Sequence, residues 1–149
     1  MRYIVVSKKS TQSGVLVCVT DQFSCERLIV AGRKIADNLG LPLEVLSIQP
    51  EQGPAEKRGF ELEYLFEKAC ENNAEMTIYY HNDAALMAAG HIRKYHVRHI
   101  VTGMPDGTGY GFMELLHQLC PDLPLTMVTH DNQMYTISLP AGLTARAVS

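Results

Sequence analysis

Continuous apolar runs recur along the chain, each followed by a segment whose apolar positions fall three and four residues apart. The first run, Val15-Leu16-Val17-Cys18-Val19, has the pattern of a strand covered on both faces. Residues 20–24 turn the chain, and Ser24 stands where a helix N-cap is expected. Over 25–39, Leu28, Ile29, Ile35, Ala36 and Leu39 form one helical stripe, with small Ala31 and Gly32 between them. Arg27, Arg33, Lys34 and Asp37 fall off that stripe. Gly40 supplies a left-handed residue to end the helix, and Pro42 prevents its restart.

The same unit then repeats. Strands are predicted over 43–48, 76–80, 99–102 and 125–129. The helices between them are striped by Leu62, Leu65, Phe66 and Ala69, by Ala85, Ala88, Ala89, Ile92 and Tyr95, and by Phe112, Leu115, Leu116 and Leu119. Asn82 or Asp83 caps the second of these. Strands alternating with helices imply right-handed crossovers and a parallel α/β sheet with helices on both faces. Residues 3–6 and 134–139 stand outside the alternation as extra short terminal strands. They are expected to pair with each other at an antiparallel edge or across a dimer. The whole chain, 1–149, reads as one domain with its core over 14–131.

Composition narrows the function classes. The net charge of −3 carries no basic excess, so neither nucleic acid nor an anionic membrane surface is an expected partner. No apolar run approaches the ~18 residues of a spanning helix, and the start of the chain lacks a signal-peptide pattern. Cys18, Cys25, Cys70 and Cys120 form no C-x-x-C pair and read as reduced thiols, which points to the cytoplasm. The six histidines, His81, His91, His96, His99, His117 and His130, contain no H-x-x-x-H pair. Surface or strand-end positions are expected for them rather than a metal site, with His81 and His130 near strand carboxyl ends.

In an open parallel sheet, ligands bind beyond the carboxyl ends of the strands, where the strand order reverses. Two loops are candidates here. One follows the first strand at Thr20-Asp21-Gln22-Phe23-Ser24. The other follows the fourth, at Thr102-Gly103-Met104-Pro105-Asp106-Gly107-Thr108-Gly109-Tyr110-Gly111. Its four glycines let backbone N–H groups approach an anion, and the next helix start adds positive partial charge. A plain flexible connection is the alternative reading of that loop. The dinucleotide fingerprint and the P-loop are both absent, as are a Gly-x-Ser-x-Gly elbow and a placed carboxylate pair.

The run from Val15 to Asp37, followed by Leu43-Glu44-Val45-Leu46-Ser47-Ile48-Gln49, resembles the start of a universal stress protein domain. It is similar in particular to the version in the cytoplasmic part of bacterial potassium-sensing histidine kinases. Cys120-Pro121-Asp122-Leu123-Pro124-Leu125-Thr126-Met127-Val128-Thr129-His130 is similar to the last helix-to-strand step of that domain. The resemblance covers about 14–131. It implies an adenine nucleotide alpha hydrolase-like fold, a five-stranded parallel sheet in the order 3-2-1-4-5. It also implies a homodimer joined along the fifth strand and, in many members, a bound ATP or other adenine nucleotide, with Mg²⁺. The family's motif is G-x2-G-x9-G-[S/T] after the fourth strand, with an Asp just after the first. Asp21 and Gly103 match; Gly107 comes one residue late, and no Gly-Ser or Gly-Thr pair follows at the required distance.

The resulting expectation is a non-enzymatic stress or signalling module that binds an adenine nucleotide or related phosphate ligand. Thr20, Asp21 and Gln22 would contact base and ribose, and Ser47 and Ile48 would line the base. Backbone N–H groups of Gly103, Met104, Gly107, Thr108 and Gly109 would hold phosphate, with no side-chain cation assigned to it. The alternative is a dimeric protein-interaction module that has lost nucleotide binding and meets a signalling partner. A slow nucleotide hydrolase is a third reading, which needs a metal and a base that the sequence does not identify.

Overall fold

In the computed structural model, which describes residues 2–5, 14–20, 22–51, 55–104, 111–138 and 144–148, the apolar runs become the middle of one sheet. The strands are β1 (Arg2–Val5), β2 (Val15–Val19), β3 (Leu43–Gln49), β4 (Ala74–Tyr80), β5 (His99–Gly103), β6 (Leu125–Val128), β7 (Met134–Ser138) and β8 (Thr144–Val148). The helices are α1 (Glu26–Leu39), α2 (Ala55–Glu71), α3 (Ala84–Tyr95) and α4 (Phe112–Leu119). The sheet order is β1-β4-β3-β2-β5-β6-β7-β8. Its centre, β4-β3-β2-β5-β6, is parallel throughout and has the predicted order 3-2-1-4-5.

All five residues of β2 are buried, as a strand covered on both faces requires. Val15, Val17 and Val19 join Leu28 and Ile29 of α1 and Leu62 and Leu65 of α2 in one apolar layer. Leu16 and Cys18 face the other way, into a second layer with Ala88, Ala89 and Ile92 of α3 and Leu116 of α4. The period-2 alternation of the strands thus divides the interior between two helix pairs. Gly40 ends α1 at φ +67, a conformation that costs glycine nothing, and the amide of Leu41 closes the turn on Ala36 O at 2.9 Å.

The terminal strands correct the expected pairing. They do not meet each other; they close opposite edges of the sheet within one chain. β1 runs antiparallel to β4, with Ile4 opposite Ile78, and covers 2–5 rather than 3–6. β7 follows β6 through a short turn in which Thr129 N–H donates to Gln133 O at 2.8 Å, and local closure pairs it antiparallel with β6. β8, unforeseen in the sequence, then pairs with β7. The outer edge of β6, along which the resemblance implies a dimer, is therefore hydrogen-bonded to the chain's own β7.

Ser24 does not cap a helix. It lies in a 3-10 turn (Phe23–Cys25), where its hydroxyl donates to Gln22 Oε1 at 3.5 Å, and Cys25 takes the cap position of α1 without a side-chain hydrogen bond. Asp83 caps α3 as expected, accepting from the Leu86 amide at 3.2 Å. His91 corrects the expectation of surface histidines. It is buried on α3, with Nδ1 2.8 Å from the Tyr79 hydroxyl and Nε2 3.1 Å from Glu44 Oε2. Among the described residues, no helix is long and apolar enough to cross a membrane.

Candidate functional site

The chain leaves β2 towards β3 and β4 on one side and returns to β5 on the other, so the strand order reverses between β2 and β5. A crevice opens beyond their carboxyl ends, as the topology requires. Two adjoining cavities fill it. The smaller, of about 180 Å³, is walled by Cys18, Val19, Leu46, Ile48, Ala84 and Phe112, with Thr20 at its rim. The larger, of about 320 Å³, shares Cys18, Thr20 and Phe112 with the first and continues along Gln22, Arg27, Thr102, Gly103 and His130. One compartment is thus almost wholly apolar, and the next adds polar groups of Thr20, Gln22, Arg27, Thr102 and His130 to an apolar wall. This pairing suits a flat apolar group carrying a hydrophilic tail.

Each predicted position can now be placed. Thr20 lines both cavities, and its hydroxyl lies 3.3 Å from Cys25 Sγ. Gln22, Gly103 and Met104 line the larger cavity and Ile48 the smaller. Ser47 lines neither. Its Oγ accepts from Gln49 Nε2 at 2.7 Å, two residues along and therefore on the same face of β3. The Met104 amide is already donated to Val128 O at 2.9 Å, extending the sheet past β5. At the start of α4, the Gly111 amide is donated to Glu114 Oε1 at 2.8 Å. Asp21, Gly107, Thr108 and Gly109 lie outside the described residues.

Arg27 in the crevice escaped the sequence reading, whereas His130 was expected near a strand end and Thr102 opens the predicted loop. Arg27 reaches the crevice from the first turn of α1, with Nη2 3.8 Å from where a Cβ on Gly103 would stand. His130, just beyond β6, brings Nδ1 to 3.5 Å from the same Nη2. Since a guanidinium only donates, the imidazole nitrogen accepts. Thr102 is 3% exposed, and its Oγ1 has no hydrogen-bond partner among the described residues. The expectation that an anion here meets only backbone amides and a helix end is therefore corrected: a side-chain cation stands in the crevice. Periodicity placed Arg27 off the apolar stripe of α1, but could not show that this first turn overhangs the end of β5.

Cys18, in the wall between the two cavities, is pushed up to about 12, first by burial and then by the neighbouring Cys120 thiol. It serves as an apolar wall group, not a nucleophile. The four cysteines are free thiols, of which only Cys70 is exposed.

No family profile matches the chain and no curated protein matches it by sequence. Solved structures do match. The universal stress protein from Archaeoglobus fulgidus superposes with a TM-score of 0.63 at 14% identity, over 77% of this chain and 92% of that one. A universal stress protein family member from Burkholderia pseudomallei superposes with a TM-score of 0.56 at 14% identity, over 81% of this chain and 98% of that one. The chain is similar in fold to the universal stress proteins: the same helix-covered parallel sheet, whose reversal point opens the crevice described above.

Proposed function

We propose that this protein is a non-enzymatic regulatory module that binds an adenine nucleotide, or a closely related nucleoside phosphate, at the carboxyl ends of β2, β3 and β5. The observation that carries the reading is the adjoining pair of cavities at the point where the strand order reverses, one almost wholly apolar, the other with Thr20, Gln22, Arg27, Thr102 and His130 among its lining residues. The base would lie against Ile48, Leu46 and Ala84, and the ribose beside Thr20, with Asp21 and Gln22 following it in sequence. The phosphate would lie towards Gly103, with Gly107, Thr108 and Gly109 further along the same loop. A Mg²⁺ ion would accompany a triphosphate.

The resemblance of the stretch from Val15 to Asp37 to the domain of potassium-sensing histidine kinases supports a signalling partner and a cytoplasmic setting. The uncrosslinked cysteines agree with that setting. A homodimer of this chain would use a surface other than the outer edge of β6, because β7 occupies that edge.

Thermal unfolding with adenosine, AMP, ADP and ATP, each with and without Mg²⁺, tests the reading. A ligand at 100 times its dissociation constant adds about 2.7 kcal/mol of stability. Ala84→Trp, which fills the smaller cavity, is expected to abolish the gain. No stabilisation by any of the four would overturn nucleotide binding and leave the protein-interaction module. Release of inorganic phosphate from ATP would instead support the hydrolase.

A further inference from the structure

Two residues that line the larger cavity each carry a buried polar atom with no partner among the described residues: Arg27, on α1, at Nη1 and Thr102, on β5, at Oγ1. Buried polar groups are rarely left unsatisfied, and a guanidinium nitrogen in that state is among the least tolerable. Among the described residues, the neighbouring groups do not supply the missing acceptor. Glu26, the carboxylate beside Arg27 in sequence, accepts from the Tyr64 hydroxyl and lies 3.8 Å from Lys68 Nζ. His130 engages Nη2, not Nη1.

Two backbone donors that flank the glycine loop among the described residues are committed as well. Met104 donates to Val128 O and Gly111 to Glu114. The site thus holds a cation and a hydroxyl with open valences, in front of a glycine whose missing side chain leaves room beside the guanidinium.

We infer that Arg27, with Thr102, is the anion anchor of this crevice and receives the phosphate of a nucleoside phosphate. The inference rests on the nucleotide reading above and adds its phosphate-binding residues. Arg27 Nη1 donates to one phosphate oxygen and the Thr102 hydroxyl to another. His130 holds the guanidinium by accepting from Nη2, so the fork is oriented before the ligand arrives. A side-chain clamp of this kind does the work that the departed glycine spacing leaves undone.

Calorimetric titration of the full chain with adenosine and with AMP separates the two levels. The wild type is expected to bind AMP more tightly than adenosine. Arg27→Met is expected to weaken AMP by roughly ten- to a hundredfold, as loss of a charge-assisted hydrogen bond does, and to leave adenosine unchanged. Thr102→Val is expected to weaken AMP by about two- to tenfold. Equal affinity of the wild type for AMP and adenosine, or an AMP affinity that survives Arg27→Met, overturns the anchor while leaving the nucleoside pocket intact. A wild type that binds neither ligand overturns the nucleotide reading itself. Should Arg27→Met lose adenosine as well, Arg27→Lys decides: a retained preference for AMP supports the anchor, and its loss overturns it.

Discussion

Gly32 lies in the middle of α1, where an alanine would ordinarily add about 0.5–1 kcal/mol of stability by restricting the unfolded chain. Here the opposite is expected. A Cβ on Gly32 would stand 2.3 Å from Val17 Cγ2 and 3.1 Å from Leu43 Cδ1. Leu43 can yield, because the atom is the tip of a flexible side chain. Val17 cannot. It is fully buried on β2, between β3 and β5, and β-branching leaves it little rotamer freedom. Relief must come from moving α1 off the sheet, and overpacking of this kind costs about 1–3 kcal/mol. Gly32→Ala is therefore expected to be destabilised by about 1–2 kcal/mol net, lowering the melting temperature by roughly 2–8 °C. Urea unfolding of wild type, Gly32→Ala, Val17→Ala and the double variant measures this directly. Removing the Val17 methyls vacates the space that the new Cβ needs, so the double variant should lose at least about 1 kcal/mol less than the two single losses together. A Gly32→Ala protein as stable as wild type, or strictly additive losses, would refute the close contact between α1 and β2.

Two further outcomes follow from the described geometry. Asp83→Ala removes the side chain that accepts from the Leu86 amide, and should lower stability by about 1 kcal/mol with an unchanged denaturant slope, whereas Asp83→Asn should hold most of it. The Cys18 thiol, raised by burial from 9.0 to about 12, keeps its proton in the folded chain at pH values where the unfolded chain has released it. The unfolded state then binds fewer protons, so stability should fall as pH rises from 9 towards 12, by up to about 1.4 kcal/mol per pH unit. Cys120, also raised by burial, acts in the same sense. Unfolding measured between pH 8 and 11 should show a flatter alkaline decline in Cys18→Ala; equal declines would contradict the buried thiol.

The five parallel strands and four helices were legible because each carries its own periodicity and its own stop signal, as Gly40 and Pro42 show at the end of α1. The crevice followed from topology alone, and Thr20 and Ile48 fell within it. What escaped notice depends on relations between distant parts of the chain. β8, the segment Thr-Ala-Arg-Ala-Val, has small residues where strand signals are strongest, and it exists only because β7 offers it an edge. His91 looked like a surface residue because a histidine on a helix says nothing of the Glu44 and Tyr79 that await it. Arg27 sits on the polar side of its own helix. Its place over Gly103 belongs to the packing of α1 across β5, which no single segment encodes.

The antiparallel strands that border the sheet also fix how the molecule would respond to tension. Arg2 pairs with Tyr80 and Val148 with Met134, which itself pairs with Val128, so both outermost strands have their terminal ends on the crevice side. Seven interstrand steps of about 4.8 Å put those ends on the order of 34 Å apart, on a line that crosses the strands. A pull along that line opens each border strand like a zipper, loading one pair of hydrogen bonds at a time. The five parallel strands come under load only after the borders have gone. The sheet is mechanically graded, with weak margins that can peel away around a centre built to hold.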